Sequence, residues 1–256
     1  MSTLHLSSPL QFAASYTADF IAASIPVTSR TLLDVGCGDG LITRQLQLRG
    51  YDVVAVDSSL KGVERARKNG VDAIHCKLEE FDHLPFEGIY MSRALHHMPP
   101  LKETLSKIGK LLTDDGTLVI EDFGFDLANE AACDWLFEQS HKVLAERSEP
   151  IQCEFHHEWL HTQIKSPGDP YAIWKDRYIT EHQLWSSSQM VSALEEYFSV
   201  HSQTKVPYLF RFICDLLPGT EAGARRAREI FASEQNLIDK SAIAAVGLRL
   251  VVSKRS

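Results

Sequence analysis

Asp34, Gly36, Gly38 and Gly40 stand at alternate positions in the stretch Leu32 to Gly40, which reads L-L-D-V-G-C-G-D-G. Glycines at every second position after an apolar run make a turn too tight for residues with a Cβ, and they leave bare backbone against which a ligand can lie. Apolar residues at helical spacing follow at Leu41, Ile42, Leu46 and Leu48. The turn therefore opens onto a helix N-terminus, an arrangement that suits a nucleotide-sized ligand at the edge of a parallel sheet. Asp57 closes the apolar run Val53 to Val56, 17 residues beyond Gly40. A carboxylate is acceptor-only and takes two donors at once, as a ribose diol requires. Alone, Asp57 could cap a helix opening at Ser58–Ser59; the glycine turn at this distance favours ribose.

Imidazoles supply the second chemical signal. His96 and His97 lie in S-R-A-L-H-H-M, residues 92 to 98, and imidazole is the side chain most often used for acid–base work. A further aromatic and histidine-rich stretch holds Phe155, His156, His157, Trp159, His161, Tyr171, Trp174, Tyr178, His182 and Trp185. All four tryptophans fall between 124 and 197. Such walls with a few imidazoles suit a small, partly apolar or aromatic molecule, and His157, Trp159, His161, Tyr171 and Trp174 are the expected contacts; the alternative is a compact helical subdomain whose aromatics are its core. Residues 157 to 161 also spell H-E-x-x-H, which on a helix would place two imidazoles on one face for zinc. No long apolar helix surrounds it and no third ligand follows at a suitable spacing. With eleven histidines in the chain a chance match is expected, so these histidines are read as substrate-contacting or helix-capping and no metal is assigned.

The elements that must carry these groups alternate. Residues 9 to 25 form an Ala-rich helix with Phe12, Tyr16 and Phe20 four apart on one stripe; Tyr16 could reach a ligand, or the stripe could pack on a sheet. Strands are expected around 32–34, 53–56, 72–76 and 117–123, with a strand and its loop over 86–100, helices over 41–49 and 100–112, and a turn at T-D-D-G, 113 to 116. Strand–helix alternation requires right-handed crossovers and a parallel sheet covered on both faces. A long helix over 128–145, a capped helix over 186–198, a strand over 198–206, a polar helix over 221–238 and a last strand over 243–253 follow.

At 256 residues, with 44% hydrophobic and 23% charged residues, the chain is one soluble α/β domain with a substantial insert. No apolar run approaches the ~20 residues that span a bilayer, and the N-terminus lacks a signal-peptide pattern. Five scattered cysteines without C-x-x-C pairs read as reduced thiols in a cytoplasmic protein. A net charge of -8 argues against a nucleic-acid partner, because that affinity rests on basic side chains.

The motifs L-L-D-V-G-C-G-D-G, V-V-A-V-D, A-L-H-H-M and L-L-T-D-D-G-T-L-V-I, in this order over about residues 30 to 123, resemble the class I, Rossmann-like S-adenosylmethionine-dependent methyltransferases. The resemblance implies an α/β three-layer sandwich: a seven-stranded, mostly parallel sheet with an antiparallel last strand, and a helical lid inserted between the fifth and sixth strands. It implies an N-terminal cap helix (1–29), a cofactor-binding core (30–123), an acceptor-site insert (124–197) and a C-terminal part of the sheet (198–256). The cofactor would be S-adenosyl-L-methionine, held by Asp34, Gly36, Cys37, Gly38, Gly40, Asp57, Ser58, Leu78, Glu79 and Arg93, with Tyr16 reaching in from the cap helix. Asp34 would orient its amino group and Asp57 its ribose. Relatives often carry an acidic residue where this chain has Lys77, and a lysine cannot accept a bond from the adenine amine; the Leu78 backbone, apolar packing or Glu79 would serve instead.

By the same resemblance the loop after the fourth strand lies beside the methyl group, so His97 first, and His96 second, are candidates for a general base or an acceptor-orienting group. In relatives the first histidine often only packs or hydrogen-bonds near the cofactor. Met98-Pro99-Pro100-Leu101 lacks the polar start and aromatic end of the amine-methylating tetrapeptide, and Ser92, Arg93 and Ala94 offer no carboxylates for a metal. The expected activity is metal-independent methyl transfer to an oxygen or nitrogen of a small molecule, by a monomer or homodimer with no nucleic-acid or membrane partner. The alternatives are a cofactor-binding protein that does not methylate, to which Lys77 points, and cyclase- or decarboxylase-type chemistry on the same cofactor.

Overall fold

The computed structural model describes residues 8–98, 100–146, 163, 168–180 and 184–255. His157, Trp159, His161 and the whole H-E-x-x-H motif lie outside these described residues. Seven strands form one sheet in the order β3-β2-β1-β4-β5-β7-β6: β1 (Thr31–Val35), β2 (Asp52–Asp57), β3 (Ala73–His75), β4 (Phe86–Ser92), β5 (Leu112–Phe123), β6 (Phe198–Val206) and β7 (Gly247–Lys254). The first five pair in parallel, the last strands run antiparallel, and helices cover both sides. This is the expected Rossmann-like methyltransferase fold.

The sheet forms because its central strands are apolar on both faces. Leu33 and Val35, Ile89 and Met91, and Leu118 and Ile120 point to one side, where they pack with Leu101, Leu105 and Ile108 of α4 (Leu101–Leu111) and with Met190 and Leu194 of a later helix, Ser187–Tyr197. The alternate residues Leu32, Tyr90 and Val119 point to the other side, against Ala14, Ala18 and Ile21 of α1 (Pro9–Ser24) and Ile42 and Leu46 of α2 (Leu41–Leu48). Strands buried on both faces are what a parallel sheet requires. From β1 the chain builds outward to β2 and β3, then returns to place β4 on the other side of β1. The carboxyl ends of β1 and β4 therefore meet at the point where strand order reverses, the place where such sheets bind ligands.

Some expected boundaries shift. The turn at 113–116 lies inside β5: register jumps from Phe86↔Leu112 to Gly88↔Thr117, so those four residues bulge from an otherwise continuous strand. The last strand is Gly247–Lys254 rather than 243–253. The long helix starts two residues later than expected, because the Asn129 side chain accepts the Ala132 N–H and caps it.

The chain divides into two compact units. One, comprising Ala14–Phe123, Trp185–Thr204 and Leu248–Ser256, carries most of the sheet and the glycine turn. The other comprises the described parts of Met1–Ala13, Gly124–Leu184 and Lys205–Gly247. Its described helices are α5 (Glu130–Ala145), α6 (Pro170–Lys175), a π-helical turn (Asp176–Thr180), α8 (Phe210–Cys214) and α9 (Glu221–Asp239), with α7 (Ser187–Tyr197) belonging to the sheet unit. An aromatic cluster of Phe125, Trp174, Tyr178, Tyr208 and Phe212 fills this second unit. Nearby, Glu234 of α9 accepts the N–H groups of Tyr208, Leu209 and Phe210 at 2.7–2.9 Å, which satisfies the N-terminus of α8.

Candidate active site

The loop after β1 is held by backbone before any ligand is considered. The Gly36 and Cys37 N–H groups both donate to the Val56 carbonyl, at 2.9 and 3.1 Å, which ties the turn to the end of β2. Gly36 adopts φ +79°, and a Cβ there would stand 2.8 Å from the Ala94 Cβ. Only a bare backbone lets the β1 loop come this close to the β4 loop. Gly40, at φ +72°, abuts Ala66 of α3 (Leu60–Lys68) in the same way, at 2.9 Å. At Gly38 a Cβ would meet nothing within 4 Å, so space is open over the middle of the turn. The Cys37 thiol is buried and its pKa is driven up, chiefly by burial, so it is no nucleophile.

Asp57 joins this loop to the next element. Its Oδ2 accepts the Gly38 N–H and its Oδ1 the Ser59 N–H, each at 2.7 Å. The helix that follows is capped by Ser59, whose side chain accepts from Gly62, so Asp57 is not spent as a cap. Each oxygen keeps a lone pair for a further donor. Asp34 is 2% exposed; Thr43 and Tyr90 donate to its Oδ2 at 2.5 and 2.8 Å. Burial raises its pKa from 3.8 to about 7 against the lowering by those two hydroxyls, and Asp57 and Asp39 add to the rise.

The loop after β4 carries the acid–base groups. Arg93 takes φ +56°, unusual for a residue with a side chain, and its N–H donates to the Glu121 carbonyl at 2.8 Å. A short 3-10 helix, Leu95–His97, then buries His96 and leaves His97 exposed. His96 Nδ1 bonds Asp122 Oδ1, and its backbone N–H donates to Asp122 Oδ2 at 3.2 Å. Asp122 Oδ1 also accepts the Phe123 N–H at 2.7 Å, so backbone fixes the carboxylate from two sides. Trp185 donates its N–H to the His96 carbonyl at 3.0 Å. His96, the second of the two expected candidates, thus has a buried carboxylate oriented on it. Asp122 escaped the sequence reading. The available signal was an aspartate in the last turn of an apolar strand, T-L-V-I-E-D-F, where a buried acid needs a partner.

The other expected site residues divide. Ser58 and Glu79 are exposed near the end of β2 and after β3. Leu78 is buried in the core, so only its backbone remains for a base. Tyr16 is partly buried under the Arg249 guanidinium, 4.1 Å from its ring, while its carbonyl accepts from Arg249 at 3.3 Å. Arg249 in turn bonds buried Glu121, which also accepts from Thr17 at 2.6 Å. Trp174 is 0% exposed, and its indole N–H donates to the Phe125 carbonyl at 3.0 Å. Tyr171 stays partly exposed, with Lys175 4.5 Å from its ring.

Comparison with known proteins decides what this loop assembly belongs to. The profile of a methyltransferase-domain family matches residues 10–197, most of the chain. The chain belongs to this family of S-adenosylmethionine-dependent methyltransferases. Among its relatives, an uncharacterized methyltransferase of Mycobacterium bovis is 34% identical over 107 residues, covering 40% of this chain and 54% of the relative. A ubiquinone biosynthesis O-methyltransferase of Xylella fastidiosa is 26% identical over 134 residues, covering 49% and 52%. The chain thus spans about half the length of the curated relatives it matches. In fold it is similar to an S-adenosylmethionine-dependent methyltransferase of Mesorhizobium loti (TM-score 0.54, 18% identity, covering 94% and 98%). It is also similar to a geranyl diphosphate C-methyltransferase of Streptomyces coelicolor (TM-score 0.51, 13% identity, covering 94% and 80%).

The residues present fit the family's cofactor. S-adenosylmethionine carries an ammonium and a sulfonium, and three carboxyls, Asp34, Asp39 and Asp57, stand close to one another around the glycine turn. Space over Gly38, unspent lone pairs on Asp57 and the buried Ser92 hydroxyl, unpartnered among the described residues, leave acceptors and donors for a ligand. No helix among the described residues is long and apolar enough to cross a membrane.

Proposed function

We propose that this chain methylates an oxygen or nitrogen of a small-molecule acceptor, without a metal, with His96 as the general base and Asp122 as its positioning partner. When bound, S-adenosylmethionine supplies a methyl group on a positively charged sulfur, which an in-line nucleophile can displace. The glycine turn and Asp57 hold and orient that cofactor, and the Arg93–His97 loop faces the same carboxyl edge of the sheet.

The observation that carries the reading is the bond between His96 Nδ1 and Asp122 Oδ1 in a site almost closed to water. A carboxylate on Nδ1 fixes the tautomer with its proton there and leaves Nε2 as the basic atom. Nε2 can then take the acceptor's O–H or N–H proton as the new bond to carbon forms, and Asp122 stabilises the imidazolium that results. His97 is exposed on the same loop, which suits an orienting role at the rim. Ser92, Arg93 and Ala94 provide no hard oxygen cage at the β4 end. Small partly apolar acceptors are supported by the aromatic composition of the insert and by relatives named as ubiquinone biosynthesis O-methyltransferases.

The test is a labelled-methyl transfer screen against metabolite extracts, followed by kinetics of His96→Gln and Asp122→Asn on the acceptor found. General-base loss lowers kcat by about 10²–10⁴, with S-adenosylhomocysteine affinity held within a factor of about three. Full activity in both variants would overturn the assignment of the base. Activity abolished by a chelator and restored by a divalent cation would overturn the metal-free reading.

A further inference from the structure

Asp34 of β1 is gripped by groups from two other elements, β4 and α2. It pairs with Tyr90 in the β1–β4 register, so the phenol and the carboxyl face each other across neighbouring strands. Tyr90 Oη donates to Asp34 Oδ2 at 2.8 Å, and Thr43 Oγ1 of α2 donates to the same oxygen at 2.5 Å. The two hydroxyls stand 3.3 Å apart, and Tyr90 is 0% exposed. Asp34 Oδ1 has no hydrogen bond among the described residues. The titratable groups facing Asp34 are Asp57 at the end of β2, Asp39 and Cys37 in the glycine turn, and Tyr90 itself. All are acidic or neutral. A carboxyl buried among such neighbours holds its proton unless a cation arrives.

We propose that Asp34, positioned by Tyr90 and Thr43, is a proton store which is discharged to solvent when the cationic cofactor binds, so that cofactor affinity is linked to pH. In that step the Asp34 O–H bond breaks, the proton passes to buffer, and the carboxylate remains beside the ligand's positive charge. Tyr90 and Thr43 act through Asp34 and are positioning residues. The inference rests on the cofactor reading above.

The experiment is calorimetric titration with S-adenosylmethionine and S-adenosylhomocysteine in buffers of different ionisation enthalpy, at pH 6, 7 and 8. With the free carboxyl half-protonated near pH 7, binding releases roughly 0.9 proton at pH 6, 0.5 at pH 7 and 0.1 at pH 8. Affinity correspondingly strengthens about tenfold between pH 6 and pH 8. The ligand's own α-amine, with an ordinary pKa of about 7.7–8.0, takes up protons on binding rather than releasing them, so the sign of the heat separates the two sources. Tyr90→Phe removes a donor to the carboxylate and moves the release midpoint to higher pH; Asp34→Asn removes the release. The wild-type measurement stands even if a variant fails to fold. Saturable binding with no buffer-dependent heat between pH 6 and pH 7 overturns the proton store alone. Absence of saturable binding overturns the cofactor reading, and the proton store with it.

Discussion

The close approach of the β1 and β4 loops yields a sharp comparison between two alanine substitutions. At Gly36 an added Cβ meets the Ala94 Cβ at 2.8 Å with φ at +79°. A left-handed conformation costs a residue with a side chain about 1–2 kcal/mol, and forcing an extra methyl into a packed contact costs about 1–3 kcal/mol. Gly36→Ala therefore loses about 2–5 kcal/mol. At Gly38, where φ is +56° and a Cβ meets nothing within 4 Å, only the conformational cost of about 1–2 kcal/mol applies. In a chain of this size each kcal/mol lowers Tm by about 2–4 °C, so Gly36→Ala melts several degrees below Gly38→Ala. Binding orders them differently: the Gly38 methyl fills ligand space, so this variant loses S-adenosylhomocysteine affinity out of proportion to its small stability loss. Thermal melts without ligand, followed by calorimetry with it, test both halves. Equal melting temperatures for the two variants would show that the β1 and β4 loops do not touch, and the site geometry would fall with that contact.

Asp57→Ala removes a carboxylate that accepts two backbone N–H groups and should weaken S-adenosylhomocysteine binding by about 1–3 kcal/mol; an unchanged Kd by calorimetry would refute its ribose role. Trp174→Phe keeps most of the buried ring but removes the indole N–H that donates to the Phe125 carbonyl, which retains the Ala128 N–H at 3.4 Å, costing about 0.5–1.5 kcal/mol in urea unfolding; a neutral result would show that this bond is not made. Glu234 is held near pKa 7, up from 4.5, by burial, against the lowering by its three backbone donors. Its native pKa is raised, so the folded state binds the proton more tightly, and the stability this gives is present below about 4.5 and lost as pH rises through 7. Unfolding of the wild type should therefore become easier from pH 5 to pH 8 relative to Glu234→Gln; a pH-independent difference would place the raised pKa in error.

The glycine turn, the five parallel strands and Asp57 are written locally, in spacing and in apolar runs, so the sequence displays them directly. The same runs hide what Tyr90 does. In F-E-G-I-Y-M-S it reads as one more core residue, and its hydroxyl acquires meaning only from the register that sets it opposite Asp34. His96 and Asp122 are 26 residues apart and meet because β4 and β5 are neighbours, a pairing no local pattern encodes. Two adjacent histidines give no sign of which one turns inward; the 3-10 turn at Leu95–His97 decides it. Trp174 shows the limit of composition, since a tryptophan suits an acceptor pocket and a subdomain core equally well. The stretch 113–116 has turn residues and does leave the ladder, yet β5 continues through it as a bulge.

The sheet order also constrains how the chain can fold. β6 reaches the sheet only through β7, which sits between it and β5. The five parallel strands can assemble from neighbouring segments, but β5 keeps an unpaired edge, and Glu121 lacks its Arg249 partner, until residues 247–254 are delivered. That pairing joins segments 128 residues apart, a contact of the long-range kind that slows folding. An unpaired edge on a hydrophobic strand is a template for other chains, so a chain in which β7 has not docked would expose β5 to such pairing. The sheet is completed from its interior, not from its rim.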